Sequence, residues 1–154
     1  MRRTSLVVAV LVAALALSAT AGAEINSFAE ARRGSLHVLS SVLVSGHSVD
    51  MRGGWFNTSL SCTTSRRLRV RAEIQRTTAH SSAITGTAKT GRVMNCAEGG
   101  PNFGFTISPS EAAGMACPDG SWKRGRYDFL TRTRHIRSGV VAVATLGWTN
   151  KKAC

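Results

Sequence analysis

The sequence predicts an all-β domain of seven short strands packed as an antiparallel sandwich and pinned by two disulfides. Three observations point there. Over residues 65–77, Leu68, Val70, Ala72 and Ile74 alternate with Arg67, Arg69, Arg71, Glu73 and Gln75, the period of two that a half-buried strand requires. Turn-forming Gly, Asn, Ser and Pro clusters recur roughly every ten residues, with no long apolar stretch of helical period between them. Four cysteines, an even number, all lie beyond an N-terminal export signal, as in a secreted scaffold held by bridges.

That signal is written in residues 1–23. Arg2 and Arg3 are followed by an unbroken Ala/Val/Leu run over 6–17 and a small-x-small site at Ala21-Gly22-Ala23, the layout of a cleaved secretory leader. The run falls short of the roughly 20 residues that cross a bilayer, so no membrane span is expected. The full chain of 154 residues carries a formal charge of +12. Cleavage would leave 131 residues and remove two of the 20 basic side chains, so that 18 basic face 8 acidic groups, a balance of +10. A secreted monomer with that charge attracts anionic polymers and cell-surface components.

In chain order, residues 24–34 read as a loosely held N-terminal arm, and the sandwich domain is expected over 35–154. The first strand is the Leu/Val-rich Leu36–Val44. A turn follows at 50–54, with Gly53 and Gly54 placed to take positive φ. Phe56, Thr58, Leu60 and Cys62 then line one face of a second strand, pointing Cys62 inward. Ser65–Thr77 is the third strand. The fourth, over 84–95, sets Ile84, Gly86 and Ala88 against Thr85, Thr87 and Lys89, with a bulge at Gly91. Phe103, Phe105 and Ile107 mark the fifth. Ser110 caps a single helical turn over 110–113, and the sixth and seventh strands cover 126–135 and 140–148.

The cysteines are separated by 33, 20 and 36 residues, unlike the close pairs of zinc or redox sites. If the strands alternate up and down, Cys62 and Cys96 reach one end of the sandwich, and Cys117 and Cys154 the other. Only the pairing Cys62 with Cys96 and Cys117 with Cys154 then joins cysteines at a common end.

Gly125-Arg126-Tyr127, opening the sixth strand, resembles the glycine-x-tyrosine corner of immunoglobulin-like sandwiches. There the tyrosine hydroxyl bonds back to the corner backbone. Phe129 stands where antibody-type domains place a cysteine, and the third strand has no tryptophan. In outline the chain also resembles small secreted actinobacterial sandwich proteins. The immunoglobulin-like resemblance implies that the third and sixth strands are neighbours. Arg67, Arg69 and Arg71 would then share an outer face with Arg132 and Arg134, a plate of guanidinium forks suited to phosphate or carboxylate.

A second candidate surface is the aromatic and basic loop of Trp122, Lys123, Arg124 and Arg126, suited to polyanions or glycans. Catalysis finds no frame. His37, His47, His80 and His135 offer bases, and Asp50, Asp119 and Asp128 offer orienting carboxylates. None stands in a nucleophile elbow, a phosphate loop or a dinucleotide fingerprint. The sequence thus predicts a binding module without a cofactor, metal or catalytic centre, for which nucleic acid is not the physiological partner. An inhibitor or antimicrobial protein presenting residues 112–124 is the alternative, and a small hydrolase a third reading.

Overall fold

The computed structural model describes residues 25–95 and 100–154. The leader over 1–23 and the pairing of Cys62 with Cys96 lie outside these residues. Two antiparallel sheets of four strands face one another, the first in the order β1-β2-β3-β6 and the second in the order β5-β4-β7-β8. The strands are β1 (Ile25–Arg33), β2 (Leu36–Val44), β3 (Val49–Asn57), β4 (Ser65–Thr77), β5 (Ser82–Met94), β6 (Phe103–Ile107), β7 (Gly125–His135) and β8 (Val141–Asn150).

There are therefore eight strands where seven were expected, and the N-terminal arm is the eighth. Residues 25–33 pair along their whole length with β2, from Ile25 opposite Val44 to Arg33 opposite Leu36. The inward side of β1 carries Ser27, Ala29 and Ala31, opposite Val42, Ser40 and Val38. Small and polar side chains suffice at the rim of a sandwich, which is why the apolar signal of a strand is missing there.

The core follows from the alternations. Val38, Val42, Val49, Met51 and Trp55 project from the first sheet, and Leu68, Val70, Ile74, Tyr127 and Phe129 from the second, all buried. Midway between the sheets a polar link joins β2 to β7 and β8. Ser40 Oγ lies 2.7 Å from Thr133 Oγ1 and 2.9 Å from the Ala142 carbonyl. The Ser40 hydroxyl is the donor toward both acceptors and shares its one proton between them.

Two glycines have a role other than the one expected. Gly53 does not turn the chain but sits inside β3, where a Cβ would come within 2.2 Å of Thr133 Oγ1 and 2.7 Å of Val70. Close approach of the two sheets, and not positive φ, requires it. Gly91 likewise makes no bulge: β5 stays in register with β4 through the pair Leu68 and Gly91. The Phe103 ring fills the place of its side chain, 2.8 Å from where a Cβ would stand.

The phase of β5 also differs from its apolar appearance. Ile84, Gly86 and Ala88 pair with Gln75, Glu73 and Arg71 on the outer face, while Thr85, Thr87 and Lys89 face inward. β5 has 13 residues but its sheet is faced on that side by β6, of only five, so most of its inner side stays wet. Lys89 reaches back over Phe103 and Phe105, 4.6 and 5.2 Å from their ring centres, a favourable seat for an ammonium group.

Between β6 and β7 the chain makes one 3-10 turn, Pro109–Glu111, whose cap is Ser108 and not Ser110. The Ser108 N–H and hydroxyl both donate to Glu111 Oε2, at 2.7 and 2.8 Å. These bonds hold the Glu111 carboxyl below the usual range. Cys117 is bonded to Cys154 with Cα atoms 5.4 Å apart, as the parity of the strands predicts. Cys62 does not point into a strand core. It lies exposed in the connection between β3 and β4, because β3 ends at Asn57.

Candidate anion-binding face

Residues paired across antiparallel strands share a face of the sheet, so the register of β5-β4-β7-β8 gives the outer surface row by row. Arg69 stands opposite Arg134, and Arg71 opposite Arg132. On the other flank Arg67 stands opposite Arg92. The five arginines expected to share a face do so, and Arg92 adds a sixth. It was missed because the glycines and small residues of β5 obscured its phase; counting back from buried Val93 would have placed it outside.

A shallow depression of about 330 Å³ lies among Arg69, Arg71, Arg132, Arg134 and Val141. Val141 and, next on the same face, Val143 are each 37% exposed and stand opposite Arg134 and Arg132. Only one of the six arginines has an acidic partner among the described residues: Arg71, whose Nη2 lies 3.0 Å from Glu73 Oε2. Further along the same face the charge reverses. Glu73 stands opposite Leu130 and Gln75 opposite Asp128, and Asp128 pairs with Arg126 at 3.7 Å.

The second candidate surface fares differently. Trp122 is 2% exposed and lies at the centre of an aromatic cluster, edge-on to Tyr127, Phe129 and Trp148 at 5.3, 6.0 and 6.4 Å. A ring so placed stacks on no ligand, and the aromatic part of that surface is withdrawn. The Lys123 carbonyl accepts the Tyr127 hydroxyl at 2.7 Å, and burial raises the phenol's pKa. Arg124 and Arg126 edge a wide open depression of about 770 Å³ together with Arg76, His80 and Lys151. The connection 112–124 is anchored on the core by buried Ala112, Met115, Cys117 and Trp122.

The histidines and carboxylates do not converge on a catalytic arrangement among the described residues. His37 bonds Glu30 through Nδ1 and stacks on Phe56 at 4.0 Å. The same Glu30 accepts from Arg32 Nε at 2.5 Å, and these bonds, that to Arg32 first, hold its carboxyl below the ordinary range. Asp119 accepts from the Ser121 hydroxyl and N–H at 2.6 and 3.0 Å, closing a turn and lowering its own pKa. Asp50 accepts from Thr106 and Arg52. No group of three or more His, Cys, Asp or Glu side chains gathers to hold a metal ion among the described residues.

His135 is the one serine-bonded histidine, and its surroundings are those of a turn. Ser138 N–H and the Ser138 hydroxyl both reach Nδ1, at 3.2 and 2.8 Å, while Ser138 Oγ accepts from Val140 N–H at 3.3 Å. Nδ1 therefore accepts, and the proton sits on Nε2, which is buried without a hydrogen-bond partner among the described residues. Desolvation, then the charges of Arg66 and Arg137, push the His135 pKa below its ordinary 6.5.

Between the two pKa values the unfolded chain binds a proton that the folded chain refuses. Stability is thus expected to fall as pH drops below about 6.5 and to level off below the folded-state pKa. Thermal melts of the protein and of His135→Asn between pH 7.5 and 5.0 check this, the variant losing less Tm over the interval. Parallel losses would clear His135 of the effect. Comparisons with protein families, with curated proteins and with solved structures found no match to this chain, which leaves its own residues to carry a functional reading.

Proposed function

We propose that this is an exported binding module that holds anionic polymers of a cell surface or its surroundings on the outer face of β4 and its neighbours. The observation that carries the reading is the pairing of like charges. Arg69 with Arg134, Arg71 with Arg132 and Arg67 with Arg92 stand directly opposite one another, where repulsion disfavours the fold. Surface lysines and arginines that merely confer solubility gain nothing from such opposition. An anion placed between two guanidinium forks turns the repulsion into attraction.

The scaffold that presents this face is read as immunoglobulin-like. With β1 set aside, β2 to β8 follow the seven-strand order of a constant-type domain, except that the fourth strand, β5, pairs with the third instead of the fifth. The Tyr127 hydroxyl, bonded four residues upstream to Lys123, supports the same reading.

Retention on an immobilised polyanion tests the function. Affinity should fall linearly on a log–log plot against salt, and Arg69→Ala with Arg71→Ala should make that slope shallower by about two. Retention that is unchanged in the double variant would show that the face is not used.

A further inference from the structure

We propose that the arginine face is a track for one kind of polymer, a flexible phosphodiester chain without bases, lying along β4 with three successive phosphates held. The proposal rests on the reading of this face as an anion-binding surface and narrows its ligand. Arg67, Arg69 and Arg71 form a column on β4, each opposite an arginine of a neighbouring strand, namely Arg92, Arg134 and Arg132. The face therefore presents three rungs of paired cations, each pair with Cβ atoms about 5 Å apart. Successive rungs are two residues apart, about 6.7 Å along the strand.

A phosphodiester chain with three carbons between phosphates has as many backbone bonds per repeat as two residues of polypeptide. Extended along β4, it brings one phosphate to each rung. Each phosphate then meets two guanidinium groups, whose planar forks match its oxygens. A rigid duplex does not follow such a flat, short column, and an extended peptide of glutamates sets alternate carboxylates at the same repeat but turns every second one away, so that at matched charge half of them reach no arginine.

Two further features define the track. On the outer face the rows that flank the arginines are filled by Thr90, Ala88, Val141 and Val143, with no aromatic ring on which a base would stack. Single-stranded nucleic acid is ordinarily held by such rings, so the backbone alone is recognised here. The column also has a stop. Glu73 follows Arg71 on β4 and engages it at 3.0 Å, and Asp128 lies one row further. A fourth phosphate would meet carboxylates, which limits the track to three.

The experiment is fluorescence anisotropy of the purified protein with labelled propanediol-phosphate oligomers of one to six phosphates at low salt. Oligothymidylate and oligoglutamate of matched charge are run beside them. Affinity should rise about tenfold per phosphate up to three, as each is captured at the effective concentration of a short tether, and only about threefold beyond. Thymidylate should bind within about threefold of the base-free chain, and oligoglutamate at least about tenfold more weakly. Arg69→Ala with Arg134→Ala should weaken the three-phosphate oligomer by about tenfold or more. Arg32→Ala with Arg52→Ala, which removes equal charge from the opposite sheet, should weaken it by less than about threefold. Glu73→Gln should favour the four-phosphate oligomer.

Oligoglutamate binding as tightly as the phosphodiester would overturn the matched ladder while leaving the anion-binding face standing. Thymidylate binding more than about tenfold tighter than the base-free chain would show that bases are read, and that too would overturn the proposal. Absence of any anion binding at low salt would sink the proposal and the anion-binding reading together.

Discussion

Replacing Cys117 and Cys154 together by alanine is expected to lower the free energy of unfolding by about 4 kcal/mol on the chain-entropy account. The two residues are 37 apart in sequence, and the bridge closes a loop containing β7 and β8, half of the second sheet. In the unfolded chain the crosslink removes the many conformations in which those ends are apart. In the folded chain it ties the tail beyond β8 to the connection that covers Met115 and Trp122. A loss of this size would be a large part of the 5–15 kcal/mol typical of a domain. Urea unfolding of the protein and the double variant, monitored by tryptophan fluorescence, provides the measurement. The midpoint should fall while the slope rises, because the unfolded chain without the crosslink exposes more surface. A loss below about 1 kcal/mol would mean that the unfolded chain already keeps these ends close.

Trp122→Ala is expected to cost about 3–5 kcal/mol, the range for deleting a large buried aromatic. The ring touches Tyr127, Phe129 and Trp148 at once, so its removal opens a cavity at the meeting point of β7, β8 and the 109–124 connection. Trp122→Phe should be far milder, costing under about 2 kcal/mol. The indole Nε1 is buried and has no hydrogen-bond partner among the described residues, so phenylalanine gives up packing without orphaning a polar group. Chemical denaturation of the two variants side by side checks the contrast. Equal losses would mean that a phenyl ring recovers none of the packing that the indole supplies. Because Trp122 faces away from the arginine column, the folded fraction of Trp122→Phe should keep its anion retention.

How much was legible depended on whether a residue's neighbours in space could be inferred from its neighbours in sequence. The strand Ser65–Thr77 was legible to its last residue, because it is central in its sheet and its two faces meet different surroundings, core and water, all along its length. The start of β7 was legible for the same reason, and β6 was legible although it is an edge, because Phe103, Phe105 and Ile107 all pack against the core. β1 was missed as a strand, and β5, found within two residues of its ends, was given a bulge at Gly91 that it lacks; both are edges. An edge strand is only partly covered, so its inward positions tolerate Ala31, Thr87 or even Lys89, and its alternation loses contrast. Gly53 and Gly91 misled for a related reason. Glycine marks either an unusual φ or a close neighbour, and only the second sheet decides which.

The candidate site divides the same way. Alternation along β4 by itself determined that Arg67, Arg69 and Arg71 leave the core on one side, since successive side chains of a strand must point to opposite faces. The up-and-down parity of the strands likewise carried the bridge between Cys117 and Cys154. Only the tertiary structure decided that Arg67, Arg69 and Arg71 each meet another arginine across a ladder, and that Trp122 is enclosed. Those facts are relations between strands far apart in the chain, fixed by register and by what each sheet finds opposite it, and no local pattern of residues contains them.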